Sequence, residues 1–461
     1  MSEYKQKLSP LTAISPLDGR YYNQVHLALS PYFSEAALIQ ARLEIEIEYL
    51  IFLRQTNFEP LLNFPPTNEE LRRCYNSELL TIDELHKIKS LEQTTRHDVK
   101  AVEYYLKDLL SVHPPSRPYL EWIHFGLTSQ DINHLALPLL LKRFHHQQYL
   151  PALEQLQTEL AKLAGEWHQL PMLSRTHGQP ASPTTLGKEL TVFLNRLSDQ
   201  RHLLAQIPFR AKFGGAVGNF NAHTAAFPDI DWPHLADDFV SQHFGLERTK
   251  VTTQIEPYDH LAAYCDNLRR INVILIDFCR DIWTYISQDY FKCKIIGGEV
   301  GSSTMPHKVN PIDFENAEGN LGLANALLNH FSNKLPISRL QRDLTDSTVT
   351  RNLGVALGHI YLAFNSIQRG IKRLDLNELA IKNDLKSNWI VVAEGLQTIL
   401  RREGYPKSYE ALKDLTRTPN PPGPIEISNW IDQLDSQLIT PQIKAELKKL
   451  TPFNYLGQAL S

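Results

Sequence analysis

The chain has little cysteine, little glycine, no excess of charge of one sign and no long apolar run. Its four cysteines, Cys74, Cys265, Cys279 and Cys293, lack the C-x-x-C spacing of a structural zinc site or a redox pair. Free thiols in a reducing compartment are the expected state. No stretch approaches the roughly 18 consecutive apolar residues of a membrane helix. The nearest, Asn272 to Phe278, is interrupted by Asp277. The opening Met1-Ser2-Glu3-Tyr4-Lys5 lacks the apolar core of a secretory signal, so a cytoplasmic location is expected. A formal charge of −4 presents no basic field to nucleic acid, so an anionic ligand needs a local cluster of cations. Among 18 histidines, His145-His146 included, no paired metal-ligand spacing occurs, and no metal is expected. The phosphate-loop pattern G-x-x-x-x-G-K-[ST] is missing too. Gly214-Gly215-Ala216-Val217-Gly218-Asn219 does not fit the dinucleotide pattern and reads as a tight turn.

What is present is ordinary globular composition, 42% hydrophobic and 21% charged, in 461 residues, enough for two or three domains. Glycines cluster, and long glycine-free segments lie between them. From Tyr258 to Gln288 the apolar residues recur at steps of three and four, as on one helix face. At about 1.5 Å per residue that segment spans roughly 46 Å, longer than most globular helices. Similar patterns run from His134 to Leu163, Leu190 to Ile207 and Phe314 to Asn333, with a kink or break expected at Pro151. Strand patterns are scarce. The expected fold is all-α, with a central bundle of long helices. A proline-rich connector near Val112–Pro118 and a change to shorter polar helices near Lys372 suggest domains 1–115, 116–370 and 371–461.

Six stretches do not read as scaffold. The densest, Gly297 to Pro311, packs glycines, prolines and hydroxyls between two helical segments, so it is a long loop with Lys308 and Asn310 suited to an anion. In Ser174 to Pro183, His177 lies in a turn upstream of Ser182-Pro183, which reads as an N-cap followed by a first-turn proline. Thr95/Asp98 and Thr128/Asp131 have capping-box spacing. They serve either as plain caps or as helix N-termini that present free N–H groups to an anion. In Gln341 to Arg351, Asp346 could cap a helix that sets Ser347 and Arg351 on one face, with Arg342 before it; a hydroxyl and two guanidiniums suit a phosphate. Asp18-Gly19-Arg20-Tyr21 is a turn carrying an arginine.

Gly301 to Asn310 resembles the Gly-Ser-Ser-x-Met-Pro-x-Lys-x-Asn signature of the fumarase/aspartase superfamily. Within it, the segments Ser15–Tyr21, Thr95–Tyr104, Ser174–Pro180, Thr252–Pro257 and Gln341–Arg351 are similar to the branch acting on succinylated purine nucleotides. Leu246 to Val251 departs from the pattern and reads as a variable surface loop. The resemblance implies three helical domains, the central bundles pairing into a homotetramer whose sites are shared between chains. It implies a carbon–nitrogen lyase that needs no cofactor, takes small nucleotide substrates, and binds neither nucleic acid nor membrane. The implied reaction is β-elimination of fumarate from adenylosuccinate, leaving AMP, and from the succinyl-carboxamide imidazole ribotide, leaving AICAR. It implies Ser302 as base on carbon, His177 as acid on nitrogen, His97 close to the reaction, and Lys308 with Asn310 stabilising the carboxylate. Arg20, Tyr21, Arg342, Ser347 and Arg351 would hold phosphate and its neighbours; Arg96, His97, Asp98, Thr128, Ser129 and Gln254 the succinyl, ribose and base parts. Argininosuccinate or malate is the alternative substrate class within the superfamily, and His307 with the arginine-rich segments favours the nucleotide. A catalytically silent scaffold on this fold would have lost the base or the acid; Ser302 and His177 are both present.

Overall fold

The computed structural model describes residues 8–76, 80–298, 304–305, 307–416 and 422–458. The chain opens with α1 (Tyr22–Phe33) and α2 (Glu35–Gln55), separated at Ser34, whose hydroxyl accepts the Ala37 N–H at 3.1 Å. Short α3 (Asn68–Arg73) starts at a capping box between Thr67 and Glu70. Then come α4 (Ile82–Thr95), α5 (Asp98–Ser111), a 3-10 run over Pro114–Trp122, and α6 (Ser129–Phe144). At Pro151 the helix changes winding rather than breaking. A π turn over His145–Tyr149 carries α6 into α7 (Leu150–Glu166), closed by the Leu150 N–H on the His145 carbonyl. The wider turn accommodates a residue with no N–H to donate and a ring that crowds the turn before it.

β1 (Pro171–Thr176) and β2 (Gln179–Thr185) form an antiparallel hairpin around the two-residue turn His177-Gly178. Both turn residues have positive φ, 53° and 74°, the geometry that matches strand twist. Ser182-Pro183 therefore lies in a strand and does not start a helix. A two-stranded sheet has only edge strands, where proline is tolerated. α8 (Leu186–Ala205) starts instead behind Thr185, whose hydroxyl accepts the Lys188 N–H at 3.2 Å.

β3 (Arg210–Ala211) pairs in parallel with β4 (Glu247–Arg248), with α9 (Asn221–Ala226) and α10 (Trp232–Asp238) between them in sequence. Residues 246–251, expected as surface loop, are partly core. Leu246 is buried, and the buried Arg248 lies over the Phe220 ring and pairs with Asp237 at 2.7 Å. α11 (Asp259–Ser287) is the long glycine-free helix read from the apolar steps. It is followed by β5 (Phe291–Cys293), α12 (Ile312–Lys334), α13 (Thr345–Thr350), α14 (Leu353–Arg373) and β6 (Leu374–Leu376), which pairs with β5. Short helices finish the chain: α15 (Glu378–Ser387), α16 (Ala393–Arg402), α17 (Ser408–Thr416), α18 (Pro424–Gln433) and α19 (Pro441–Lys448).

The chain divides into two compact units, each built from separate stretches: 1–153, 200–273 and 319–364 in the first; 154–199, 274–318 and 365–461 in the second. In the first, α2 is buried around most of its circumference and packs on α5 and α6. Such a helix must also bury its charges with partners. Glu46 meets His124 at 2.6 Å, and Glu48 meets Arg72 at 2.7 Å and His243 at 3.1 Å. In the second unit the C-terminal helices close on a core of their own, Val392, Leu396, Leu400, Ile427 and Ile431 among it.

Candidate active site

In the first unit, Arg96, His97, Asp98, Ser129, Arg342, Ser347 and Arg351 line one cavity of about 570 Å³. The first three come from the junction of α4 and α5. Arg96 ends α4 at φ 51°, a left-handed position usually given to glycine. Its N–H still closes on the Glu92 carbonyl at 2.7 Å. His97 then caps α5, its Nδ1 accepting the Lys100 N–H at 3.1 Å. That bond assigns the proton of the neutral ring to Nε2. The capping box expected between Thr95 and Asp98 does not form. The Thr95 hydroxyl turns back to the Leu91 carbonyl at 3.0 Å, and Asp98 turns to Arg42. A charged guanidinium is the stronger partner for a carboxylate than a backbone amide.

Arg42, on α2, is 3% exposed; its Nη2 lies 2.6 Å from Asp98 Oδ2 and its Nε 2.9 Å from Asn133 Oδ1. Burial pushes the Asp98 carboxyl up, but the Arg42 charge and the Val99 N–H outweigh it and hold the group below the usual carboxylate range. Arg351 approaches the same carboxylate at 3.9 Å.

The opposite group of residues comes from α13 and the turn before it. Arg342 Nη2 donates to Ser347 Oγ at 2.9 Å and to Asp346 Oδ1 at 3.4 Å, while Arg351 Nη1 donates to the Ser347 carbonyl at 2.9 Å. Asp346 lies inside the helix and does not cap it. Its Oδ1 accepts the Ser347 N–H at 2.7 Å, and Asp343 makes the turn before the helix by accepting the Thr345 N–H at 2.9 Å. Tyr258, held at φ 66°, donates to Asp346 Oδ2 at 3.3 Å, and its oxygen is 3.4 Å from His134 Nε2. Burial, aided by Lys212 and Arg342, pushes His134 down to about 3, so this imidazole is neutral.

Ser129 opens α6 behind Thr128, whose N–H the Asp131 carboxylate accepts at 2.8 Å, as a capping box requires of it. Asp131 is fully buried against Lys212 Nζ at 2.7 Å and the Gly214 N–H at 2.8 Å. The glycine run at 214–219 is the expected turn, and its purpose is visible: Gly215, at φ 78°, aims its amide at the same carboxylate at 3.2 Å.

Other residues named from the sequence lie elsewhere. In the first unit Arg20 is exposed, Tyr21 precedes α1, and Thr128 and Gln254 do not line this cavity. His177, Lys308 and Asn310 belong to the second unit, His177 exposed at the hairpin turn and Lys308 exposed with its amide on the Met305 carbonyl at 3.0 Å. Ser302 lies outside the described residues. The cavity also contains residues that sequence reasoning passed over: Arg42, Asn133, His134 and Tyr258. Arg42 had a signal, a cation inside the apolar stretch of α2. His134 and Tyr258 had none, since such side chains on a helical stripe read as core. With Arg42, Arg96, Arg342 and Arg351 around it, the cavity suits a ligand bearing phosphate or carboxylate groups. Among the described residues no group of three metal-ligating side chains occurs.

The family pattern described as Lyase matches residues 74–325, and that described as Adenylosuccinate lyase C-terminal matches residues 338–456. An adenylosuccinate lyase of Dictyostelium discoideum is 54% identical over 98% of this chain and 97% of its own length. Those of Legionella pneumophila (strain Corby) and Escherichia coli (strain K12) are 48% and 44% identical, each over 98% or more of both chains. A crystal structure of 3-carboxy-cis,cis-muconate lactonizing enzyme from Pseudomonas putida superposes with a TM-score of 0.75 over 95% of both chains at 19% identity, which shows the shared fold. On these similarities, spanning nearly its whole length, the chain belongs to the adenylosuccinate lyase family.

Proposed function

We infer that the chain cleaves adenylosuccinate to AMP and fumarate, and that the same site takes the succinyl-carboxamide imidazole ribotide to AICAR in purine biosynthesis. The observation that carries this reading is the convergence of Arg96, His97, Arg342, Ser347 and Arg351 on one cavity, in a member of this family. Two anionic ends of the substrate need cations: the phosphate, and the succinyl carboxylate into which carbanion charge moves. Arg342, Ser347 and Arg351 hold the phosphate, with Arg20 and Tyr21. Arg96, His97, Asp98, Thr128, Ser129 and Gln254 hold the succinyl, ribose and base parts.

In this reading the Ser302 hydroxyl, as alkoxide, takes the proton from carbon beside the carboxylate. The C–N bond then breaks, and His177 gives its proton to the departing nitrogen. Lys308 and Asn310 receive the charge growing on the carboxylate. A serine alkoxide needs cations and N–H groups close to it; glycines at 297, 298 and 301 suit such an approach.

The reading includes a homotetramer in which each site takes residues from three chains. Two features support it: His177 stands exposed on its turn, and apolar side chains such as Val273, Trp283 and Leu323 are about half exposed on the long helices. It also includes three domains bounded near 115 and 370; the separate C-terminal core supports the second boundary. The reading includes a cytoplasmic location; among the described residues no helix is long and apolar enough to cross a membrane. The test follows adenylosuccinate absorbance with purified wild type beside Ser302→Ala. Wild type consumes the substrate and Ser302→Ala does not; a near-normal turnover number in Ser302→Ala overturns the assignment of the base.

A further inference from the structure

We propose that Asp384, on α15, is a positioning residue for His177, holding the hairpin that carries it. The proposal rests on the lyase reading above, with His177 as the acid. A hairpin of two short strands is marginal by itself, and its turn places His177 in solvent at positive φ. Something else must fix the imidazole.

The anchor is two residues before it. Arg175 Nη2 lies 2.6 Å from Asp384 Oδ2, and Arg175 Nη1 lies 3.1 Å from the Tyr290 hydroxyl. The Tyr290 hydroxyl also donates to Asp384, closing a three-membered ring of contacts. Tyr290 is itself fixed. Its ring stacks on Tyr285 with centroids 5.8 Å apart, and its carbonyl accepts the Asn377 N–H at 2.9 Å where α15 begins. The second strand is held as well: the Ser182 hydroxyl donates to Glu394 of α16, which also accepts the Tyr455 hydroxyl at 2.9 Å. Both strands are thus tied to the C-terminal helices by charged hydrogen bonds.

The ion pair is about one-quarter exposed on each side, so its value lies in geometry more than in stability. A planar guanidinium caught between a carboxylate and a phenol has one orientation. Two residues of strand place His177 about 7 Å further on, so play at Arg175 becomes displacement of the acid. Tyr290 adds a consequence. It directly precedes β5, which leads to residues 297–311, so one carboxylate serves the root of that segment and the acid-bearing hairpin together.

The test uses the full-length protein. Asp384→Asn keeps the shape and removes the charge. We expect kcat to fall at least about tenfold with KM within about threefold, because a misplacement near 1 Å costs up to about a hundredfold. Amide hydrogen exchange at 175–179 quickens, and Asp384→Glu, which restores the charge, regains most of the lost kcat. Tyr290→Phe keeps the ring stack, loses one hydroxyl, and shows a smaller fall of the same kind; should Asp384→Asn not fold, this variant decides on the same readouts. With wild type active, an unchanged kcat in folded Asp384→Asn, or a loss expressed in KM alone, overturns the proposal. If wild type does not consume adenylosuccinate, the lyase reading fails, and exchange at 175–179 unchanged by Asp384→Asn still overturns the positioning.

Discussion

Replacing Arg342 by leucine removes one cation from the cavity and strands another charge. Arg342 is 19% exposed and sits 3.4 Å from Asp346, which is 6% exposed. Two losses follow for a phosphate-bearing substrate. A hydrogen bond to a charged group is worth roughly 1.5–3 kcal/mol; about 2 kcal/mol is about thirtyfold in KM. In the lyase reading Asp346 then faces the phosphate without its cation. A like charge about 6 Å away, at an effective dielectric near 20, costs about 3 kcal/mol per unit charge. Halved for solvent access at this partly open site, that is about another tenfold. Arg342→Leu should therefore raise KM for adenylosuccinate by about 300-fold, with kcat nearly unchanged, because the phosphate is held alike in ground and transition states. The double variant Arg342→Leu/Asp346→Asn removes the stranded charge and should recover about tenfold of the loss. Initial rates across substrate concentration read both constants. A KM within threefold of wild type in Arg342→Leu, or a double variant weaker than the single, refutes the reasoning.

Three further outcomes are expected. His97→Asn keeps an acceptor for the Lys100 N–H and so keeps the cap, yet turnover should fall about a hundredfold, as for loss of a positioned imidazole. His97→Ala loses the cap too, costing about 1 kcal/mol more in urea unfolding; normal turnover in His97→Asn would leave this residue a cap and nothing more. Lys212→Met leaves Asp131 buried without its cation and should lower stability by about 3–5 kcal/mol, seen as a lower urea midpoint; an unchanged midpoint would show the pair to be dispensable. Glu48, pushed up by burial but pulled lower by His243, Arg72 and Tyr75, titrates near about 2 in the folded chain, below its unfolded value. Its contribution is thus present above about pH 4 and lost as pH falls toward 2, so the gap in urea midpoint between wild type and Glu48→Gln should narrow from pH 5 to pH 2.5; a constant gap contradicts this.

The long helices could be read from the sequence because each buries a continuous stripe, and a stripe writes its period into the residue order. α11 runs Asp259–Ser287 where the apolar steps place it. The hairpin could not be read. Ser182-Pro183 satisfies helix initiation and edge-strand rules equally well, and the choice is made by the pairing of Pro183 with Leu173, a contact across the turn. The junction at Thr95–Asp98 was recognisable as a special place, but not for its spacing. Its cap is an imidazole, and its aspartate is claimed by Arg42 from far back in the chain. Local chemistry names the residues that deserve suspicion, whereas tertiary partners decide what each one does.

Those partners share a pattern. Arg42 and Arg351 meet on Asp98, and Arg342 meets Asp346, so these guanidiniums reach the cavity already tied to carboxylates. Unpaired, several cations in one pocket would repel one another and swing apart on flexible stems. Paired, each is restrained in orientation, and a guanidinium carries five donors, more than one carboxylate can accept. The cost is that the local field is weaker than the count of arginines suggests. Affinity must then come from alignment of donors more than from net charge, and such binding should respond to geometry-breaking substitutions more sharply than to added salt.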